Sequence, residues 1–598
     1  MKDRAIFLII ILFMALFMFS CGGEDKDSNT DGDFETETDI LSDGDSDAEK
    51  NEADSKEIPE MEPEAESSDL DGDADIDFIE TEIEPEEDIE KPDPSVICEE
   101  LGLPVREFDE SGSNGSALYD IATDFTIKTS AEMWNFKENW SGCENYLFIQ
   151  DKPAQTNGWI TPLWSRDAAD LLERLPQNTH IFFVSYKTSS LDIMTAMSMI
   201  KTQVDEYKLT LDAEAAASLT RRIHYVYDPA RELEGWLGTM MKSPGWGVGI
   251  DRFQQIRYIG SYADYNRYDS GQQWFAPNLK MAANEAIYYN YEAEREERIE
   301  SRNDLVVTLF DNEMLEDPSW AGVKGYVEVE LPSAEEMAEY DSLELDLFLG
   351  CHGSGEYGTC PAWDYIAYLY LCDREAPDTC DTEFGRWITT YHREGRWVHD
   401  VSALLPLIAE GGNRRFAFYT TQKYDVTLKL RFFNGGKDAR PYTSIYLFSG
   451  GTFNATYNDK YAPLTIAIPE ETTKVELATI ISGHGMAMPG NCAEFCNTTH
   501  SFWVNENENT ISFAQAGTSQ GCMDMIEEGT IPNQYGTWWY GRSGWCPGKE
   551  VPVVMTDITD QVTIGADNIF EYGGLYNGNP YTVDGAEVRM ESWLVFSK

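Results

Sequence analysis

Leu343-Glu344-Leu345-Asp346-Leu347-Phe348-Leu349 puts a leucine at every second position and two carboxylates between them. Side chains in a strand alternate between faces, so this stretch reads as a β-strand with one face in a core. The same period returns in Val327, Val329 and Leu331, and again in Val426, Leu428, Leu430 and Phe432. Many such segments, separated by Gly, Asn and Pro, predict antiparallel sheets packed on one face. The roughly 295 residues after about 303 are too many for one sandwich, so two jelly rolls side by side are expected. Their boundaries fall at 303–436 and 437–598, meeting near Gly435-Gly436.

Upstream the pattern changes. Tyr146–Ile149, Ile181–Val184 and Ile223–Val226 read as short buried strands. Between the last two, Met194, Met197, Ile200 and Val204 recur at helical spacing, the methionines reading as core. Strand, helix, strand predicts an α/β domain over 98–302. Phe125–Thr129 and Gly249–Tyr258 resemble the opening and closing strands of thioredoxin-like domains. The redox pair is missing: Cys143 has no second cysteine near it, and dithiol exchange needs both sulfurs. Residues 285–303, rich in Tyr, Glu and Arg, read as a polar helix or linker.

The first 97 residues carry no core. Lys2 and Arg4 precede an apolar run from Ala5 to Phe19, suited to a signal segment and short for a membrane span. It ends in Met18-Phe19-Ser20-Cys21, which resembles a bacterial lipoprotein cleavage site, with Cys21 lipidated and 1–21 as the leader. Residues 22–97 hold 32 Asp/Glu and four Lys, a little under half of the chain's net charge of -63. Such a segment buries too little apolar area to offset chain entropy and is expected to be a disordered, extended spacer. Its Asp31-Gly-Asp33, Asp43-Gly-Asp45 and Asp69–Asp73 runs lack the closing glutamate and flanking helices of a calcium loop. The expected address is an exported lipoprotein at the outer membrane, held through a lipid anchor. With 44 Lys+Arg against 107 Asp+Glu, the surface repels phosphate backbones, so no nucleic-acid partner is expected.

Of 11 cysteines, ten remain after Cys21. Cys351/Cys360, Cys372/Cys380 and Cys492/Cys496 lie close in sequence, Cys522/Cys546 lie further apart, and Cys98 and Cys143 are left over to form a fifth pair. In an exported chain these read as disulfides. No CxxC spacing favours structural zinc, and no metal or other cofactor is expected.

Three short segments carry the chemistry: Cys360-Pro-Ala-Trp363-Asp364, Cys492-Ala-Glu494-Phe-Cys496 and Arg542-Ser-Gly-Trp545-Cys546-Pro-Gly548. Carboxylates on braced loops beside indoles suit hydrolysis at a sugar-bearing bond, one carboxylate taking a proton from water while an indole stacks on a pyranose ring. The alternative is loop-bracing ion pairs and core tryptophans.

These strings, with Gly385-Arg-Trp-Ile-Thr389, Ile481-Ser-Gly483 and Thr499-His500, resemble the peptide-N-glycosidase F family across about 303–598. The resemblance implies two adjacent jelly rolls with a metal-free site between them, which hydrolyses the amide joining asparagine to the first N-acetylglucosamine of an N-linked glycan. It implies Asp364 and Glu494 as the catalytic pair, and Arg542, Trp545, Trp363 and His484 as substrate-binding residues. It also implies the Cys492–Cys496 and Cys522–Cys546 bridges, and Cys351–Cys360 with a longer loop.

The departures are specific. Where the family reads Tyr-Thr-Glu-Thr-Trp, this chain has Tyr419-Thr420-Thr421-Gln422-Lys423, losing a third carboxylate and an indole. Tyr365 replaces an arginine, and His484 and Met486 replace a Trp and a His. The expected function is an amidase on N-glycosylated proteins or peptides, with altered glycan preference. A catalytically silent glycan-binding lipoprotein is the alternative. A copper-dependent monooxygenase on a double jelly roll is remote, because the seven histidines show no His-x-His or His-His pair; His352 and His500 read as satisfied loop histidines.

Overall fold

The computed structural model describes residues 94–113, 115–151, 163–242, 247–269, 274–316, 322–353, 359–485 and 493–598. Cys21, the leader and nearly all of the acidic spacer lie outside them, as do Cys492 and Met486. Among the described residues no helix is long and apolar enough to cross a membrane.

The α/β region is built on a five-stranded mixed sheet: β1 Asn145–Ile149, β2 Thr179–Val184, β3 Ile223–Val226, β4 Gly247–Ile250 and β5 Ile256–Tyr258, in the order β3-β2-β1-β4-β5. The first three strands are parallel, β4 runs antiparallel to β1, and β5 turns back antiparallel to β4. β1 and β2 are buried at every position, as their uninterrupted apolar character requires of strands covered on both faces. Helix α1 (Ala168–Arg174) precedes β2, and α2 (Ser190–Lys208) follows it. On α2 the buried stripe is Ile193, Ala196, Met197, Ile200 and Val204; Met194 points outward, so only one of the two expected core methionines is core. Phe125–Thr129 does not open the central sheet. Thr126–Lys128 pairs with Met133–Asn135 in a separate ribbon, and Thr129 makes one bridge to Val226. Cys143 is bridged to Cys98.

Residues 280–300 form a long helix, α3 (Lys280–Glu300), and its first half is not the exposed polar helix the composition suggested. Met281 through Tyr289 are all buried, charged Glu285 included. A helix buried around its whole circumference needs neighbours on every side. It finds them in the α/β sheet, in α1 and in the 523–534 segment near the C-terminus.

After α3 the chain is almost entirely β. The first set of strands is β6 Leu305–Leu315, β7 Val323–Ser333, β8 Ser342–Gly350, β9 Ile366–Cys372, β10 Cys380–Ile388, β11 Gly395–Asp400, β12 Gly411–Thr420 and β13 Tyr424–Phe433. The second is β14 Pro441–Phe453, β15 Leu464–Ala467, β16 Lys474–His484, β17 Thr498–Val504, β18 Asn507–Ser512, β19 Lys549–Glu550, β20 Val554–Asp557, β21 Asp567–Tyr576 and β22 Ala586–Ser597. They assemble into four antiparallel sheets: β6-β13-β8-β11, β7-β12-β9-β10-β19, β14-β22-β16-β20 and β15-β21-β17-β18. β19 comes from beyond residue 437 yet pairs with β10, so the later segment extends a sheet of the earlier one.

The alternation in β8 survives with a twist in its meaning. Leu343, Leu345, Leu347 and Leu349 are buried, but so are Glu344 and Asp346. Arg298 and Arg302, at the end of α3, reach Glu344, with Arg302 at 2.6 Å. Arg396 grips both oxygens of Asp346 at 2.9 and 3.0 Å, and Arg431 adds a contact at 2.7 Å. A face of carboxylates reads as a solvated face; here it is a covered face matched by arginines, which a buried charge needs.

Candidate functional site

Asp364 sits just before β9, on a loop that leaves the Cys351–Cys360 bridge. Thr389, at the end of β10, pins both sides of it. The Thr389 hydroxyl donates to the Trp363 carbonyl at 2.9 Å and accepts from the Tyr365 N–H at 2.9 Å, while the Thr389 N–H donates to the Tyr365 carbonyl at 2.8 Å. The clamp leaves Trp363 38% exposed, beside a carboxylate that keeps 19% of its side chain accessible.

Glu494 and Arg542 arrive from the second set of strands. The Ser543 N–H donates to the Glu494 carbonyl at 2.8 Å, and the Ser543 carbonyl accepts from the Gly483 N–H at 2.8 Å, so backbone hydrogen bonds join three segments. The approach is close enough to demand glycine: a Cβ on Gly544, at φ +82°, would stand 2.3 Å from the Ile481 carbonyl oxygen. The Cys522–Cys546 bridge closes the loop that carries Arg542 and Trp545.

Arg542 is the meeting point. Its Nη2 lies 3.5 Å from Asp364 Oδ2 and its Nε lies 3.7 Å from Glu494 Oε1. Both separations exceed the roughly 2.7–2.9 Å of a tight charge-assisted hydrogen bond, so the guanidinium screens the two carboxylates without tying up their oxygens. It is itself held by the Tyr540 and Thr537 carbonyls at 2.7 and 3.3 Å, and by the faces of Trp545 and Phe495 at 4.9 and 5.4 Å. The Trp545 indole donates to the Gly483 carbonyl at 2.6 Å and stacks on His484 at 5.2 Å. His484 shares a hydrogen bond with the Ser482 hydroxyl at 2.7 Å; burial, with Arg589 and Arg386 nearby, pushes its proton affinity well down and keeps the ring neutral.

Burial raises the proton affinity of both carboxyls. Asp364 is pushed up by loss of water, against the pull of Arg542 and a hydrogen bond from the Tyr391 hydroxyl. Glu494 is pushed up to about 7 by burial and by the negative charge of Asp364, against the pull of Arg542 and the Gly485 N–H. The folded chain thus holds a proton on Glu494 that the unfolded chain, at its ordinary 4.5, releases. That contribution to stability is fully present below about 4.5 and is lost as pH climbs through about 7. Two carboxyls crowded this way lose protons one after the other, which separates a base from its partner.

The structure therefore places Asp364, Glu494, Arg542, Trp545 and His484 in one connected group, with Trp363 beside Asp364. It adds Tyr391, which sequence reading missed. Tyr391 lies in the Thr389–Arg393 turn with no periodicity around it, and the positive φ of its neighbour His392 (53°) is visible only in coordinates. Thr421 and Lys423, at the positions of the missing carboxylate and indole, give no carboxylate; Lys423 pairs instead with Glu316 at 3.5 Å. Cys351–Cys360, Cys372–Cys380 and Cys522–Cys546 are bridged, and Cys496 is disulfide-bonded.

His500 is not a loop histidine. It is fully buried on β17, in a row of hydrogen bonds that runs from Ser543 to Thr498 (3.0 Å), to His500 (3.0 Å), to Tyr572 (2.8 Å) and on to Tyr457 (2.9 Å). Burial lowers its proton affinity to about 3, so it acts as a neutral strut that braces the residue next to Arg542. His352 behaves as expected, half-exposed and 2.8 Å from Asp425.

Residues 452–597 match the family model described as peptide-N-glycosidase F, C terminal. A curated relative, the peptide-N(4)-(N-acetyl-beta-D-glucosaminyl)asparagine amidase F of Elizabethkingia miricola, is 28% identical over 240 residues, 36% of this chain. The match spans 63% of that relative's length. Among solved structures, PNGase F of Flavobacterium meningosepticum, a glycosylasparaginase, is similar over 50% of this chain and 96% of its own, with 19% identity and a TM-score of 0.38. PNGF-II is similar over 51% of this chain and 67% of its own, with 12% identity and a TM-score of 0.38.

Proposed function

We propose, from the match of residues 452–597 to the peptide-N-glycosidase F model and the 28% identical relative, that this chain is a member of that family and a hydrolase of the amide between asparagine and the first N-acetylglucosamine of N-linked glycans. The bond broken is that between the asparagine side-chain carbonyl and the glycosyl nitrogen. A hydroxyl from water goes to the carbonyl, a proton goes to the leaving amine, and aspartate remains in the peptide. Asp364 takes the proton from water, Arg542 supplies positive charge beside it, and Glu494 accepts a hydrogen bond from the substrate or from the water. Trp363 is exposed to flank the sugar, while Trp545, buried between Arg542 and His484, fixes the guanidinium.

The observation that carries this reading is the bridge of Asp364 and Glu494 through one buried arginine, delivered from two sets of strands. The deciding experiment is mass spectrometry of a denatured N-glycopeptide after incubation with the protein. Hydrolysis converts the linkage asparagine to aspartate. The alternative, a silent glycan-binding protein, is favoured by Thr421 and Lys423 and leaves the asparagine unchanged.

The pH dependence follows from Glu494. A protonated glutamic acid loses an acceptor, so kcat should rise through a midpoint near 7 as Glu494 ionises. Burial also raises the proton affinity of Asp364 above its ordinary range, so its ionisation works in the same direction. Glu494→Gln should sit on a low plateau with no inflection near 7; an unchanged inflection in that variant removes Glu494 from the assignment.

The same reading treats 303–436 and 437–598 as jelly rolls and 98–302 as a thioredoxin-like domain, in keeping with a parallel β1/β2 pair continued by an antiparallel hairpin. With Cys143 in a disulfide, the latter has no dithiol to exchange. Export as a lipoprotein acylated at Cys21, with the acidic 22–97 segment as spacer, completes the proposal.

A further inference from the structure

A second group of side chains lies along the corner where β9 and β10 meet β22. Register sets its geometry. Tyr368 and Tyr370 share one face of β9, opposite Arg386 and Glu383 of β10. On β22, Glu587, Arg589 and Glu591 project from alternate positions, opposite His484, Ser482 and Ile480. The corner therefore starts at His484, in the site already described, and leads away from it. Ser482 links the two regions: its hydroxyl shares a hydrogen bond with His484 and accepts one from Arg386 at 2.7 Å.

At six residues from Asp364 and about 3.3 Å per residue, Tyr370 stands about 20 Å along the strand from the candidate catalytic carboxylate. Its ring stacks on Tyr368 at 5.3 Å, and Arg589 donates to the Tyr368 hydroxyl. Across the corner Tyr446 is 51% exposed, braced edge-on by buried Trp593 at 6.3 Å. The Tyr446 hydroxyl bonds Glu591, whose carboxyl is pushed up to about 7 by burial and by the charge of Glu383. Glu383 is 5% exposed; one oxygen holds Arg386 at 2.7 Å, and the other, Oε1, is buried without a hydrogen-bond partner. A buried carboxylate oxygen with nothing to accept from is costly unless something supplies a donor.

We propose that this corner, lined by Tyr446, Tyr370, Glu591, Glu383 and Arg589, is a subsite for the outer, uncharged sugars of the same glycan whose linkage lies at Asp364. The inference rests on the proposed amidase reading for its substrate. The exposed ring of Tyr446 and the half-buried ring of Tyr370 offer an electron-rich face to the C–H face of a pyranose, and carboxylates with free lone pairs accept from its hydroxyls. Both arginines are matched, Arg386 by Glu383 and Arg589 by Glu587 at 3.2 Å. Lys324 lies 5.2 Å from the Tyr370 ring, and the charge of Asp381 reaches Glu591. An anionic sugar thus finds no net positive charge there.

The test uses one peptide in two forms, carrying either a neutral mannose-rich glycan or only the two core N-acetylglucosamines. Tyr446→Ala should lower kcat/KM for the large glycan about tenfold, through KM, and leave the short form unchanged. Glu591→Gln provides a second variant, with the same selective loss, should the first fail to fold. Equal losses on both forms, or none on either, overturn the subsite. If the wild-type protein hydrolyses neither form, the amidase reading fails separately. The subsite is then judged by NMR titration of the free neutral oligosaccharide. Binding lost in Tyr446→Ala supports it, and absent or unaltered binding rejects it.

Discussion

Asp364→Asn should lose turnover by about 10³-fold or more while the protein melts no earlier than wild type. The two halves have one cause. Asp364 is held where burial disfavours its charge, and Arg542, the Tyr391 hydroxyl and its own backbone N–H offset that penalty in part. An amide of the same shape carries no charge to desolvate, so the fold gives up little. The chemistry gives up its base, because an amide cannot take a proton from water. Kinetics on a denatured glycopeptide, paired with a thermal melt, checks both. Turnover near the wild-type level would remove Asp364 from the mechanism; a collapse of stability would mean that the carboxylate is a structural ion-pair partner of Arg542 rather than a reacting group.

The strands of the C-terminal half were readable because leucines at 343, 345, 347 and 349 can face one core only with period two. What that pattern could not reveal is what covers the other face. Glu344 and Asp346 look like solvent-facing residues, and the arginines that bury them come from positions 298, 302, 396 and 431, none local in sequence. Helix α3 misled for the same reason: its charge-rich composition reads as exposed, yet Glu285 and Arg295 are buried against distant partners. The site was legible in part. Asp364, Glu494, Arg542 and Trp545 sit in strings unusual enough to be recognised, whereas Tyr391 acts through a hydroxyl that no spacing announces. β19, two residues long, carries no pattern to read, and its crossing into the earlier sheet follows from tertiary contacts alone.

Those distant partners converge on one junction, and breaking it should have the largest effect on stability. Glu285 of α3 is fully buried, and it holds Arg393 through both oxygens at 3.0 and 2.9 Å. It also accepts from the Asn533 side chain at 2.8 Å, while Arg393 donates to the Pro532 carbonyl. Three regions are tied together: the α/β region through α3, the first set of strands through Arg393, and the second set through residues 532–533. Removing one member of a buried pair leaves the other charged and unsatisfied, at a cost of about 3–5 kcal/mol. Glu285→Ala should therefore unfold at clearly lower denaturant than wild type. The double variant Glu285→Leu with Arg393→Met should recover much of the loss, since neither charge then remains to be buried. Turnover should fall with the single variant as well. Arg393 is two residues from Tyr391, and the Tyr391 N–H is held by Gln534 at 2.8 Å, so the junction sets the loop that reaches Asp364. Chemical denaturation and kcat, measured on the same samples, test the coupling. A Glu285→Ala protein as stable and as active as wild type would show that the α/β region sits beside the strands without bracing them, and would leave the site dependent on the β-sheets alone.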